Sequence, residues 1–261
     1  MGIGIGVLIS GNGSNLQAII DACEAGRIDG NVTFVGSDRP DVYGLERAKK
    51  HGIANFVVDY SQVIKFFHDN PAKRIMPKEI EYFATIVNKQ SIYSKEMKYT
   101  DLLEKLFTRV NIECKLLREM DKFSFDVLAL AGFMRNLSPY FIDKINIDPF
   151  HPRIMNIHPA LLPAFPGTDG YGDTFAYGCK IGGCTVHFVD YGEDTGPIIG
   201  QRMYEITPED NPETIKTKGL AQEWKLYTEC LQLFAQERLM IVSRQLGNRP
   251  PKKVVDILPA E

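Results

Sequence analysis

No apolar run of the chain approaches the roughly 18 residues that a helix needs to cross a bilayer, so no membrane span is expected. The first residues carry no basic leader and no cleavage site. They run directly into a strand-like pattern, which argues against a signal peptide. Cysteine is scarce and unpaired in pattern: Cys23, Cys114, Cys179, Cys184 and Cys230 form no CxxC and have no histidine at zinc-finger spacing. Neither a disulfide framework nor a metal site follows from them, and buried thiols in a reducing cytoplasm are the expectation. A charge excess is missing too. Thirty Lys and Arg against 33 Asp and Glu leave a net charge of −3, too little to draw the chain to nucleic acid or to an anionic membrane. What is present is an ordinary globular balance, 44% hydrophobic and 24% charged over 261 residues, long enough to bury a core.

The pattern of elements is α/β. Gly2 to Ile9 alternates glycine and aliphatic residues and reads as a buried strand in which glycine lets a helix approach closely. Ser10 to Asn15 forms a glycine loop, and Leu16, Ile19, Ile20 and Cys23 follow at helical spacing with Gly26 as a stop. A strand, a glycine loop and a helix make an anion cradle from free N–H groups and the helix dipole, with phosphate the usual guest. The plain alternative is a strand-to-helix turn with an N-cap. A dinucleotide fingerprint is incomplete, because Leu16 stands where the third glycine of G-x-G-x-x-G belongs, although Asp38 ends the next strand where a ribose-binding acid could sit. Strands over Val32 to Gly36 and Asn55 to Asp59, with a helix over Tyr43 to His51, complete a βαβαβ rhythm and predict a doubly wound, mostly parallel Rossmann-like sheet.

Residues 60–122 interrupt that rhythm as a basic, helical insertion, with helices expected over Lys78 to Asn88 and Tyr99 to Met120. A solvated face or an oligomer contact, such as that of a homodimer, is the favoured reading of it. Phe125 to Leu130 is a fourth, buried strand. Phe133, Met134 and Arg135 follow, and Ser138-Pro139 opens a helix with Ser138 as N-cap and Pro139 at its first position. The fifth strand begins the stretch from Arg153 to Gly167, where Asn156 and His158 stand two apart and share a face of an extended chain. An amide can donate to a developing oxyanion, and an imidazole can hold or move a proton near neutral pH. The competing reading is a strand end whose polar residues cap a turn. Gly167 to Gly178 is glycine-rich and reads as a loop. Ile181 to Val189 and Ile198 to Ile206 read as an antiparallel pair around a short loop holding Asp194, either a turn residue or the partner of a nearby histidine. His187, mid-strand, reads as a structural histidine. Glu213 to Leu239 is a long helix, and a Pro/Lys tail from about residue 245 ends in Val254 to Leu258 as an edge strand or a loose end. Since ligands of such sheets lie beyond the carboxyl ends of the strands, the phosphate cradle, the loop at 133–135 and the Asn156/His158 pair should share one crevice.

Four motifs, LISGNGSNLQAIIDA, LALAGFMRNLSP, MNIHPALLPAFPG and GCTVHFVDYGEDTGPII, make the chain resemble the phosphoribosylglycinamide formyltransferases of purine biosynthesis over residues 3–59 and about 123–240. The resemblance implies one formyltransferase-fold domain over residues 1–261, with an antiparallel end to its sheet and the helical insertion. It implies an enzyme that moves the formyl group of 10-formyltetrahydrofolate, its co-substrate, to the amine of glycinamide ribonucleotide, with no metal. It implies Asn156, His158 and Asp194 as the catalytic group and Gly13, Ser14 and Asn15 on the substrate phosphate. It also implies Glu223 at the glycinamide end, and Met134, Arg135, Asn136, Leu137 and Asn156 in the folate pocket, with Lys95 as candidate for a basic folate contact. Small-molecule substrates, no nucleic acid and no membrane are the partners it predicts. The chain departs from the pattern in its insertion, in Asn136 for a usual aliphatic, and over Thr168 to Phe175, where most members have a histidine-containing helix start.

Other readings remain. Methionyl-tRNA formyltransferase would add a basic C-terminal domain. A formyltetrahydrofolate hydrolase would share Asn156, His158 and Asp194 but carry an N-terminal regulatory domain. A phosphate- or nucleotide-binding module without catalysis would need only the first loop.

Overall fold

The computed structural model describes residues 2–71, 83–94, 96–245, 247–248 and 250–260. Five strands run parallel: β1 (Ile3–Ile9), β2 (Gly30–Ser37), β3 (Asn55–Val57), β4 (Val127–Leu130) and β5 (Ile154–His158). β6 (Ile181–Phe188) pairs antiparallel with β5 and β7 (Ile198–Glu205) antiparallel with β6, giving a seven-stranded sheet of order β3-β2-β1-β4-β5-β6-β7. The order reverses between β1 and β4, so loops leaving these neighbouring strands part to opposite sides and open a crevice.

The alternation of β1 sorts the two faces. Ile5, Val7 and Ile9 are fully buried against α1 (Ser14–Glu24), α2 (Tyr43–Lys50) and α8 (Pro212–Ala235). Leu8 points the other way, into a core shared with α3 (Tyr60–Asp69), α4 (Phe83–Lys89), α5 (Tyr99–Met120) and α6 (Pro139–Ile145). The glycines of β1 serve a strand neighbour more than a helix. A Cβ on Gly6 would stand 2.4 Å from the Phe34 ring of β2, so glycine there makes room for an aromatic side chain. On α8 the fully buried Tyr227 places its hydroxyl 3.2 Å from the Leu130 carbonyl and 3.0 Å from that of Met155, which ties the helix to both central strands.

Four local differences from the sequence reading have physical reasons. Ser138 holds the N-cap position of α6, but its hydroxyl donates to the buried Glu113 carboxylate of α5, which also accepts the Ser138 N–H at 2.7 Å. Within the insertion the pattern over Tyr60–Asp69 forms a helix, capped by Asp59 accepting from the Gln62 N–H. Of the helix expected from Lys78, residues 78–82 lie outside the described residues. The glycine-rich 170–176 stretch is a helix of about two turns, α7 (Gly170–Ala176), capped by Asp169. The tail forms a separate antiparallel pair, β8 (Leu239–Arg244) with β9 (Lys252–Ile257), held by the register Val242 to Val254.

Candidate active site

Strand β5 delivers Asn156 and His158 to the carboxyl end of the sheet, and the loop between β6 and β7 brings Asp194 over them. His158 is buried, 2% exposed, with Nδ1 at 3.2 Å from Asp194 Oδ2 and Nε2 at 2.7 Å from the Phe165 carbonyl. Both ring nitrogens thus face acceptors, and only the doubly protonated ring donates at both ends. Asp194 also accepts the Gly167 N–H at 2.9 Å. Burial pushes its carboxyl up, but hydrogen bonding to His187 and to the Gly167 N–H, with the charge of the two imidazoles, outweighs this and leaves it below the ordinary carboxylate range. Asp194 and Phe165 hold φ of 54° and 52°, the left-handed region that a side chain occupies at a cost of roughly 1–3 kcal/mol. Both strained residues contact His158, so the surrounding loops fix its environment.

His187 lies beside this cluster as a buried histidine with hydrogen-bond partners of its own. In the β5–β6 ladder it sits directly opposite Asn156. Its Nδ1 is 2.9 Å from the Phe188 carbonyl and so carries a proton, which leaves Nε2 facing the Asn156 amide at 3.3 Å and Asp194 Oδ1 at 3.5 Å. Two imidazoles therefore flank one carboxylate, and one of them orients the amide. The cross-strand register would have revealed this contact; the linear pattern of β6 does not.

The sequence-predicted folate loop lies on the next strand. Met134 N–H donates to Ser10 Oγ at 2.8 Å, joining the loops after β4 and β1. Arg135 turns back to Asp38, Nε to Oδ2 at 2.5 Å, and covers the Tyr60 ring at 5.1 Å. The Asp38 carboxylate is wholly buried, so it is committed to this arginine and not offered to a ribose. The Asn136 carbonyl accepts from Arg109 of α5, and Leu137 is buried. Lys95 lies outside the described residues. The insertion instead reaches this loop through Arg109, and through Glu113, whose carboxyl burial pushes up to about 7 against the opposing pull of Arg109 and Ser138. A shallow cleft opens here, lined by the apolar side chains of Leu130, Phe133, Leu137 and Val189 and by the polar ones of Asn156, His187 and Asp194.

In the glycine loop after β1, Gly13 has a φ of 73° and a Cβ there would meet Gly44 Cα at 2.8 Å. No side chain caps α1, so N–H groups of its first turn, which begins at Ser14, are left for an anion. The Asn15 side chain turns inward. Its Nδ2 donates to Glu223 Oε2 at 2.6 Å, so any contact of Asn15 with a phosphate runs through its backbone. Glu223, 4% exposed on α8, does not touch Asn156, His158 or Asp194; Tyr171 of α7 donates to its other oxygen. Among the described residues no group of His, Cys, Asp and Glu is placed to hold a metal ion, and no helix is long and apolar enough to cross a membrane.

This arrangement offers a donor amide, an imidazole and a carboxylate beside a cleft of mixed polar and apolar lining, and the first turn of α1 is free of a side-chain cap. It suits acyl-group transfer between a flat apolar donor and a phosphorylated acceptor. The profile of a family described as formyl transferase matches residues 4–231. The phosphoribosylglycinamide formyltransferase of Escherichia coli is 34% identical over 89% of this chain and 87% of its own. That of Bacillus subtilis is 33% identical over 87% of this chain and 91% of its own. The crystal structure of glycinamide ribonucleotide transformylase 1 from Symbiobacterium toebii superposes with a TM-score of 0.69 at 35% identity, covering 98% of this chain and 94% of that one.

Proposed function

The chain belongs to the formyl transferase family, and on that premise we propose that it transfers the formyl group of 10-formyltetrahydrofolate to the amine of glycinamide ribonucleotide in purine biosynthesis. The observation that carries this reading is the run of polar contacts from Asn156 through His187 and Asp194 to His158 beside the cleft. Leu130, Phe133, Leu137 and Val189 line the cleft with apolar side chains that suit a flat heterocycle, and Asn156, Asp190 and Asp194 set polar groups beside them.

The donor supplies a formyl group on nitrogen, and the acceptor amine attacks its carbon. Asn156 donates to the oxygen that becomes negative, and the His187 ring holds the amide in place for this. His158, when protonated, brings positive charge to the same end of the site, supported by Asp194 at 3.2 Å. Asp194, ionised at neutral pH, stabilises the imidazolium and stands ready to order a water that carries the amine proton toward the leaving nitrogen. Gly13, Ser14 and the Asn15 backbone hold the acceptor phosphate at the helix start, and Glu223 meets its amine-bearing end. Incubating the chain with 10-formyltetrahydrofolate, with and without glycinamide ribonucleotide, tests the reading. Folate release that requires the ribonucleotide supports it, and equal release without it points to a hydrolase.

A further inference from the structure

Glu223 is a buried carboxylate held by neutral groups alone. Among the described residues no Lys, Arg or His lies within ion-pair distance of it, whereas Asn15 Nδ2 binds Oε2 at 2.6 Å and the Tyr171 hydroxyl binds Oε1. A carboxylate has about four acceptor positions, so two remain. Asn15 Oδ1, on the same side chain, is buried without any partner, and an orphaned acceptor of this kind costs free energy until a donor arrives. This corner between α1, α7 and α8 is thus rich in acceptors, with no cation within ion-pair distance among the described residues. It also lies between the phosphate loop after β1, through Asn15, and the loop after β5, through Tyr171. A ligand anchored by phosphate at the first loop and reacting at Asn156 and His158 passes over it.

Tyr171 is fitted to this corner. It sits in α7, whose first residue packs so closely on the Asn156–Pro159 stretch that a Cβ on Gly170 would stand 2.8 Å from the Pro159 carbonyl. Its ring lies flat on α8 one turn before Glu223, where a Cβ on Gly219 would come within 2.1 Å of it. Burial and the neighbouring Glu223 push the phenol far above its ordinary value, so it stays a neutral donor at every physiological pH.

We propose that Tyr171 is a positioning residue that fixes the Glu223 carboxylate, without neutralising it, as the acceptor for the hydrogen-bond-donating end of the phosphorylated substrate. The inference rests on the functional reading above and deepens it, because it assigns recognition of the donor-bearing end to a phenol in the 168–175 stretch where the chain departs from its relatives. A cation in the same place would pair with Glu223 and compete with the substrate amine; a phenol orients the carboxylate and leaves its charge for the ligand.

The test is steady-state kinetics on the full chain with saturating formyl donor and varied glycinamide ribonucleotide, for wild type, Tyr171→Phe and Tyr171→His. Tyr171→Phe is expected to raise KM for the ribonucleotide about tenfold, the low end of what a hydrogen bond to a charged group contributes. Its kcat should stay within about threefold, and KM for the donor should not move, which also shows that the variant is folded. For Tyr171→His the ratio of its ribonucleotide KM to that of wild type should climb as pH falls from about 8 to 6, as the imidazole gains charge. A purely structural role predicts a ratio that does not depend on pH. A ribonucleotide KM within twofold of wild type for Tyr171→Phe, or a loss carried by kcat or by the donor KM, overturns the proposal. If wild type neither turns over the ribonucleotide nor binds it in calorimetry, the functional reading fails and this inference falls with it.

Discussion

Replacing Asp194 by Asn isolates the charge in the cluster while keeping shape. The carboxylate lies 3.2 Å from His158 and 3.5 Å from His187. At an effective dielectric of about 20, a unit charge pair 3.2 Å apart interacts by roughly 5 kcal/mol, an upper limit on what the imidazolium loses. Asn keeps a dipole and can still accept the Gly167 N–H, so the realised loss should be about 3–4 kcal/mol, or roughly 10²–10³ in kcat. The fold should survive, because Asn tolerates the φ of 54° at this position better than most residues. The stability sign follows from linkage. A carboxyl depressed in the folded state stabilises it above the unfolded pKa of about 3.9, and that contribution is lost as pH falls through the folded value. The difference in stability between wild type and Asp194→Asn should therefore shrink below about pH 4. The assay is formyl transfer at saturating substrates, followed by folate release, with a thermal melt at neutral pH as control. A kcat within tenfold of wild type in a folded variant would refute the assignment of Asp194 to the imidazolium.

Three further outcomes follow from the same geometry. His187→Ala frees the Asn156 amide and should lower kcat about tenfold with little change in either KM, the equivalent of one hydrogen bond, as steady-state kinetics will read. Arg135→Ala leaves the buried Asp38 carboxylate with only the longer ion pair to half-exposed Arg39, at 3.7 Å, and should destabilise the chain by about 3 kcal/mol, a fall in melting temperature of roughly 10 °C. Glu113 has a folded pKa raised to about 7, so the folded state binds the extra proton and stability falls as pH rises from about 4.5 to 7. Glu113→Gln, which can still accept from Ser138, should flatten that dependence in urea titrations; an unchanged pH slope would contradict the assignment.

How much of this was legible beforehand differs by residue. The Asn156/His158 pair was readable because strand period is local, and β5 falls where its apolar run ends. The sheet was readable for the same reason, strand by strand, down to its antiparallel end. His187 was not, because its place depends on the register between β5 and β6, which two separated segments set jointly. Asn15 was assigned to phosphate by its loop, yet its side chain is claimed by Glu223, 208 residues away in the chain. Tyr171 is hidden in a glycine-rich run that reads as loop: Gly170 there answers to close packing against Pro159, and Gly219 of α8 makes room for the Tyr171 ring. Asp38 stood at a position suited to a ribose, and only Arg135, from a distant loop, shows that it is taken.

The central claim is that the Asn156, His158 and Asp194 cluster moves a formyl group to an amine bound at the phosphate loop. It is tested most directly by mass spectrometry of the ribonucleotide after incubation with an isotope-labelled formyl donor. Wild type should produce labelled N-formylated ribonucleotide, and folded His158→Ala should produce none above the uncatalysed level. Label recovered as free formate with wild type, or equal product from His158→Ala, would contradict the account.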